Sequence, residues 1–480
     1  MNSIEAQLSK VIQGEVHSEK EFRDFYSVDA SSYQIIPKII VVPENEKDVI
    51  NTIKIAKKFK TSITVRGAGT GLVGSALNNG IILDMKNFDS IKIKKKYATV
   101  GPGVIKGKLD KALAKNKKFF PPNPSVGSFC TVGGMLGNNS SGSRSLKYGS
   151  MIDNVIEVTI IDGNGNKIIL PKDKKFSNKI QEKIKMNTKK FPKVSKNSSG
   201  YRIDKIMSKN DTHKIIIGSE GTLGIITSAK LKIKNIPKKR ILFVIEYKSI
   251  KNVIKDCTVL NTTNPSAIEF VDKTTLRQID FKFQKNTTSL LFVEYDEKVS
   301  QNERKIKSII SGNIVKNVTK QKEISQWWRY RDSSLYFSLK KIKKENRIPH
   351  VIEDVALPLE KLSNLFSMLE NINKKFGTKS ITYGHIGNGN IHVRLIAKRQ
   401  KSLIKNIATQ YFDEIIKNGG TITAEHGDGL ARTEFIKKQY GKKNYESFKQ
   451  IKKLFDSKNT LNPGKIISNK STIVENLEKF

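Results

Sequence analysis

The stretch VRGAGTGLVGSALNNGIILDM (65–85) constrains the fold more than any other part of the 480-residue chain. Gly69, Gly71 and Gly74 form a G-x-G-x-x-G, the spacing of a loop that wraps a dinucleotide pyrophosphate where a strand turns into a helix. The residues after the glycines do not suit that use. SITV leads in as a strand, SALNNG is a turn signal, and IILDM is again a strand. No helix N-terminus is therefore available to meet a phosphate. Asp84 also follows Gly69 by only 15 residues, closer than the acid that usually holds the ribose. A Rossmann-type nicotinamide site is disfavoured. Glycines at this density still bring backbone N–H groups close to something. By itself the loop leaves two readings open, a phosphate-bearing ligand or a plain turn between strands.

Two further segments repeat the pattern. FFPPNPSVGSFCTVGGMLGNNSSGSRSLKYGSMIDNVIEVTIIDGNG (119–165) holds Gly133-Gly134, Asn138-Asn139, Ser140-Ser141-Gly142 and Tyr148-Gly149. So many small and polar residues make a close-approach surface, not a core. The strand NVIEVTII and a hairpin turn at Asp162-Gly163 follow. KIIIGSEGTLGIITSAKLKI (214–233) reads as strand, glycine loop, strand. Between the first strands, ENEKDVINTIKIAKKFK (44–60) carries Val49, Ile53 and Ala56 at helical spacing, with acids in the first turn.

Composition excludes several classes. The length predicts two or three domains. Two cysteines, Cys130 and Cys257, support neither a disulfide scaffold nor an iron–sulfur cluster held by this chain alone. The longest apolar runs, such as IIVV (39–42), are too short to cross a bilayer, and the first 25 residues have no secretory apolar core. The expected location is cytoplasmic. The formal charge is +42, but the lysines are scattered, as in KIKKK (92–96), KKIKKENR (340–347) and GKKNYESFKQIKK (441–453). No helix-turn-helix, zinc finger or RNA-binding strand accompanies them. They read as a solvated surface, and no nucleic-acid partner is expected. An acidic protein or the inner face of a membrane is the partner such a surface suits.

The histidines cluster. SITYGHIGNGNIHVRLI (380–396) sets His385 and His392 about a turn at Asn388-Gly389, and TITAEHGDGLARTEF (421–435) adds Glu425 and His426. If the first segment is a symmetric hairpin, the two imidazoles face each other with Cβ atoms about 5 Å apart. Two histidines and a carboxylate are a recurrent catalytic metal set; the alternative is two histidines hydrogen-bonded within a sheet.

Together the three glycine segments resemble the flavin-binding domain of the vanillyl-alcohol-oxidase/para-cresol-methylhydroxylase (PCMH) superfamily. More narrowly they are similar to its FAD-linked 2-hydroxy-acid dehydrogenase branch, from about Asp24 to Ile467. The resemblance implies an α+β protein: a PCMH-type FAD-binding domain over 1–237, an α+β cap domain over 238–415, and a C-terminal segment, 416–480, returning to the first domain. It implies that Arg66, Gly67, Ala68, Gly69, Thr70 and Gly71 wrap the FAD pyrophosphate. Thr131, Gly133, Gly134, Asn138, Ser141 and Gly142 would line the ribityl and isoalloxazine region, and Glu220, Gly221 and Ile225 would close the other side. The first loop has no histidine for a covalent link, so dissociable FAD is expected.

GHIGNGNIH is similar to the family's G-H-x-G-D-G-N-x-H, and AEHGDG to its E-H-G. The resemblance makes His385, His392 and Glu425 ligands of a divalent ion, often zinc or manganese, and His426 the base. Asn388 stands where Asp is usual, which puts the surroundings of the ligands in doubt. SQWWRYRDSSLYF (325–337) is similar to a W-x-x-R segment, with Arg331 either clamping a carboxylate or forming a structural ion pair. VIEDVALPLEKL (351–362) also matches, but Ile352 stands where some 2-hydroxyglutarate enzymes carry Lys, which weakens recognition of a second carboxylate.

The implied activity is oxidation of a 2-hydroxy acid, such as D-lactate, glycolate or D-2-hydroxyglutarate, to the 2-oxo acid, with hydride passing to flavin N5. Electrons would leave for a separate iron–sulfur subunit, a quinone or another acceptor. The rival readings are a flavin-containing electron-transfer subunit and a superfamily oxidase acting on another alcohol.

Overall fold

The computed structural model describes residues 3–276, 279–333, 336, 351–398, 400–468 and 470–478. The basic run 340–347 and His350 lie outside the described residues.

The first sheet contains β1 (Glu15–His17), β2 (Ile39–Val42), β3 (Ile63–Arg66) and β4 (Ile81–Asp84), in the order β1-β2-β4-β3. β2 and β3 both run parallel to β4. All four residues of IIVV are buried because both faces are covered. Ile39 and Val41 pack with Val49 and Ile53 of the helix Glu46–Lys58, and Ile40 and Val42 pack with Tyr26. Each such side chain contributes about 1.5–3 kcal/mol by leaving water. The glycine stretch 67–80 joins two parallel strands without any helix, as its turn residues predict.

A second sheet contains β5 (Ile91–Ile93), β6 (Tyr97–Val100), β7 (Val155–Asp162), β8 (Lys167–Leu170) and β9 (Gly224–Lys232), in the order β5-β6-β9-β7-β8, all antiparallel. Lys209–Ile215 is a 3-10 helix, not the expected strand. Ser208 and Asp211 form a capping box at its start, and this local signal overrides the apolar run KIII.

The third sheet has seven strands. These are β10 (Ile241–Tyr247), β11 (Ala267–Asp272), β12 (Ser289–Tyr295), β13 (Asn313–Val318), β14 (Asp354–Ala356), β15 (Lys379–Gly384) and β16 (Asn390–Ile396). Their order is β13-β10-β12-β11-β15-β16-β14, with every pair antiparallel. Charged groups tie this sheet to the segment after the second glycine loop: Arg144 donates from Nε and Nη2 to Glu294 at 2.6 and 2.7 Å, and Tyr148 donates to Asp296 at 2.5 Å. The chain then returns to the first sheet, where Ile63 N donates to Thr460 O at 2.8 Å.

Candidate active site

Between the glycine loops and the end of the seven-stranded sheet lies a cavity of about 1750 Å³, its open mouth included. One wall is nearly bare backbone. A Cβ on Gly71 would meet nothing within the protein closer than 3.6 Å, and one on Gly137 nothing closer than 4.0 Å. These residues therefore lack a side chain for the sake of the cavity. By contrast a Cβ on Gly133 would sit 2.7 Å from Pro102, which is a packing demand. A wall of open glycines and backbone amides over this length fits an extended phosphate-bearing cofactor such as FAD.

The opposite wall carries the histidines. His385 Nδ1–H donates to Glu269 Oε1 at 2.7 Å, and its Nε2 lies 3.1 Å from Glu425 Oε1. His392 is placed similarly, with Nδ1 3.0 Å from Glu353 Oε1 and Nε2 3.3 Å from Glu425 Oε1, although its Nδ1 makes no hydrogen bond. Each imidazole thus has one nitrogen facing a buried carboxylate and the other aimed at one shared oxygen. Outer carboxylates of this kind fix ring orientation around a bound metal. His385, His392 and Glu425 offer ligand atoms within 4.8 Å of one another, and this donor set fits a divalent ion. Glu425 Oε2 is occupied elsewhere: Ser141 donates to it at 2.5 Å and Lys196 Nζ at 2.9 Å.

His426 stacks on His392, with ring centroids 5.1 Å apart. Its Nδ1–H donates to Glu353 Oε2 at 2.6 Å, leaving Nε2 3.5 Å from Glu425. Burial opposes a charge on the ring, but the Glu353 and Asp354 carboxylates win and push its pKa up to about 10. Burial likewise opposes ionisation of Glu425, yet Lys196 and His385 hold its carboxyl well below the usual range. Burial and the neighbouring Asp428 raise Glu220 to about 8. Asp354 organises the loop itself: Oδ2 accepts from the backbone N–H groups of Ala424, Glu425 and His426 at 3.1, 2.9 and 2.8 Å.

The residues singled out from the sequence fall as follows. Residues 66–71 line the cavity, as do Thr131, Gly133, Gly134, Asn138, Ser141 and Gly142 from the second loop. Glu220 and Gly221 line it too, but Ile225 does not. Alternation along β9 turns Gly224 and Ile226 to the cavity and buries Ile225 with Leu83 and Ile161. His385 and His392 meet, with ring centroids 5.3 Å apart, though not as facing hairpin partners. Tyr383 is the ladder partner of His392, and His385 sits at the start of a 3-10 turn, Ile386–Asn388. Asn388 bridges outward, accepting from Ser145 Oγ and donating to Ser195 Oγ, both at 2.9 Å. Arg331 lines the cavity while its Nε donates to Glu269 at 2.6 Å, so it forms a buried ion pair. Glu269, Glu353, Asp354 and Lys196 were not singled out. Their trace in the sequence is an acid or a lysine inside an otherwise apolar or small-residue run, as in VIEDVA and AIEFVD.

A glycine-walled cavity facing a histidine–carboxylate centre defines a flavin-linked oxidoreductase, and comparison with known proteins agrees. Residues 37–170 match the family model for an FAD binding domain, and residues 236–466 match that for FAD linked oxidases, C-terminal domain. The chain belongs to the FAD-linked oxidases of the PCMH family. It is 28% identical to glycolate oxidase subunit GlcD of Bacillus subtilis, covering 92% of each chain. It is 25% identical to the mitochondrial D-lactate dehydrogenase [cytochrome] of Arabidopsis thaliana, over 96% of this chain and 79% of that one. Identity to the D-2-hydroxyglutarate dehydrogenase of Pseudomonas putida is 27% over 96% of this chain, which spans 51% of that relative's length. Among solved structures, alkyldihydroxyacetonephosphate synthase shares the fold with a TM-score of 0.69 at 18% identity, over 96% of this chain and 86% of that one. Among the described residues no helix is long and apolar enough to cross a membrane.

Proposed function

We propose that this protein is an FAD-dependent dehydrogenase that oxidises a 2-hydroxy acid of the D series to the 2-oxo acid and hands the electrons to a separate acceptor. The observation that carries this reading is the convergence of His385 Nε2, His392 Nε2 and Glu425 Oε1 at the edge of the glycine-walled cavity. FAD held by residues 66–71, the second loop and Glu220-Gly221 supplies a two-electron acceptor, and a divalent ion on His385, His392 and Glu425 supplies Lewis acidity.

The chain's own residues do the rest. His426 is anchored through Nδ1 on Glu353 and presents Nε2 toward Glu425. The Glu353 and Asp354 carboxylates stabilise the imidazolium, so the ring takes a substrate hydroxyl proton at Nε2 only from its neutral form, which the charge of a divalent ion on His385, His392 and Glu425 would favour. Glu269 holds His385 through a hydrogen bond, and Glu353 sets a negative charge beside His392. Lys196 and Ser141 hold Glu425 ionised and oriented. Relatives named for glycolate, D-lactate and D-2-hydroxyglutarate support this class of substrate. The basic surface, +42 overall, suits an acidic electron acceptor such as an iron–sulfur subunit.

The test is the visible spectrum of the purified protein, taken anaerobically with D-lactate, L-lactate, glycolate and D-2-hydroxyglutarate. One of these acids bleaches a flavin band, and EDTA slows the bleaching. A flavin band that none of them bleaches would shift the assignment to an electron-transfer subunit or another alcohol.

A further inference from the structure

Three arginines line the cavity among the described residues: Arg66, Arg331 and Arg394. Arg331 is committed to Glu269. Arg66 donates to Tyr26 O at 3.4 Å and lies over the Tyr26 ring. Arg394 is different. It is 4% exposed, its Nε donates to Tyr383 Oη at 3.3 Å, and neither terminal nitrogen makes a hydrogen bond. Its one ion pair is Nη2 with Glu353 Oε1 at 3.3 Å. That carboxylate is shared with His426 at 2.6 Å, His392 at 3.0 Å and Arg432 at 3.8 Å. Glu353 is thus divided among four cationic or protonatable groups, with Asp354 and Glu425 also beside the two imidazoles, and it leaves both Arg394 Nη atoms without a hydrogen-bonded acceptor. A buried fork with two idle nitrogens is costly unless a partner arrives, and a carboxylate is the partner whose two oxygens match it.

Position along the strand indicates which carboxylate. Arg394 lies two residues beyond His392 on β16, so both side chains occupy one face, about 7 Å apart along the strand. A carboxylate attached to the hydroxyl-bearing carbon is one bond from the chemistry and stays at the histidine centre. The far carboxylate of a five-carbon diacid lies three bonds, about 4 Å, beyond that carbon, on the way to Arg394. We propose that Arg394, with Tyr383 beside it, is the specificity-determining residue that receives the distal carboxylate of a 2-hydroxy dicarboxylic acid. This inference rests on the reading of the cavity as a 2-hydroxy-acid site and narrows it to diacids. It also answers the apolar Ile352. Asp354 pairs with His392, and continuing that antiparallel register sets Ile352 opposite Arg394, so the cation stands on the neighbouring strand.

The test is calorimetric binding of 2-oxoglutarate and pyruvate to the protein as purified, for the wild type, Arg394→Met and Arg394→Lys. The wild type binds 2-oxoglutarate more tightly than pyruvate. Arg394→Met reduces that preference by about 10–100-fold, the worth of a charge-assisted pair, and Arg394→Lys restores part of it. Anaerobic bleaching by D-2-hydroxyglutarate and by D-lactate is followed in parallel, and the ratio of their kcat/KM values falls with the calorimetric preference. A wild-type preference for pyruvate, or a preference unchanged in Arg394→Met, would overturn the assignment. The wild-type comparison decides even if the Met variant does not fold. Bleaching by neither acid would instead sink the dehydrogenase reading itself.

Discussion

Asp354→Asn tests how the active-site loop is held. The carboxylate is fully buried. Its Oδ2 accepts from Thr423 Oγ1 at 2.8 Å and from three successive backbone N–H groups, and its Oδ1 accepts from Asn390 Nδ2 at 3.0 Å. All of these partners are donors, so an amide cannot satisfy both ends. If its oxygen faces the loop, its NH₂ meets the Asn390 NH₂; if it flips, its NH₂ meets the three backbone donors. The better orientation still loses the charge and leaves one donor opposed, about 3 kcal/mol in all. Melting entropy near 2.1 cal/mol/K per residue over a chain this size is about 1 kcal/mol/K, so the melting temperature falls by about 3 °C if the chain unfolds as one unit. The loss falls on the backbone of Glu425 and His426, so metal retention after gel filtration falls as well, by about 10–100-fold in affinity. Differential scanning calorimetry and elemental analysis of the same preparation read both effects. A variant that melts within about 1 °C of wild type and keeps its metal would refute the idea that Asp354 shapes this loop.

Glu269→Gln removes the buried negative charge that Arg331 and His385 share. A destabilisation of about 3–5 kcal/mol is expected from breaking this buried ion pair, read as a lower urea midpoint together with weaker metal binding. Gly137→Ala separates packing from cofactor binding. The site is helical and its new Cβ meets nothing closer than 4.0 Å, so apoprotein stability rises by up to about 1 kcal/mol while the ratio of flavin to protein absorbance falls. His213 carries an acid limb of stability. Burial, then the nearby Lys214 charge, pushes its pKa from 6.5 down to about 4. Between those values the unfolded chain binds the extra proton, so stability is intact above pH 6.5 and falls as pH drops, by about 1.4 kcal/mol per unit within that window. Urea midpoints at pH 7 and pH 5 measure the drop, and His213→Gln shrinks it.

Much of this site is visible in the amino-acid order alone. A G-x-G-x-x-G followed by turn residues and a second strand excludes a helix at the phosphate, because the chain has no room to form one before IILDM. Histidines are few and chemically conspicuous, so His385, His392 and the Glu425-His426 pair stand out wherever they fold. What holds them in place does not stand out. Glu269, Glu353 and Asp354 look like ordinary acids, and they become a buried scaffold only because β11 pairs with β15, and β14 with β16. Lys196 and Ser141 reach Glu425 across 229 and 284 residues of sequence, a meeting no local pattern encodes. Ile225 was assigned by motif position, but the pleat of β9 decides facing residue by residue, and it turned Gly224 and Ile226 inward instead. The idle nitrogens of Arg394 belong to the same category. Sequence determined which chemical groups this protein owns, since residue identity needs no fold. Tertiary structure decided which of their buried polar atoms are left without a hydrogen-bond partner, since compensation in a dry interior depends on distances that only strand register sets.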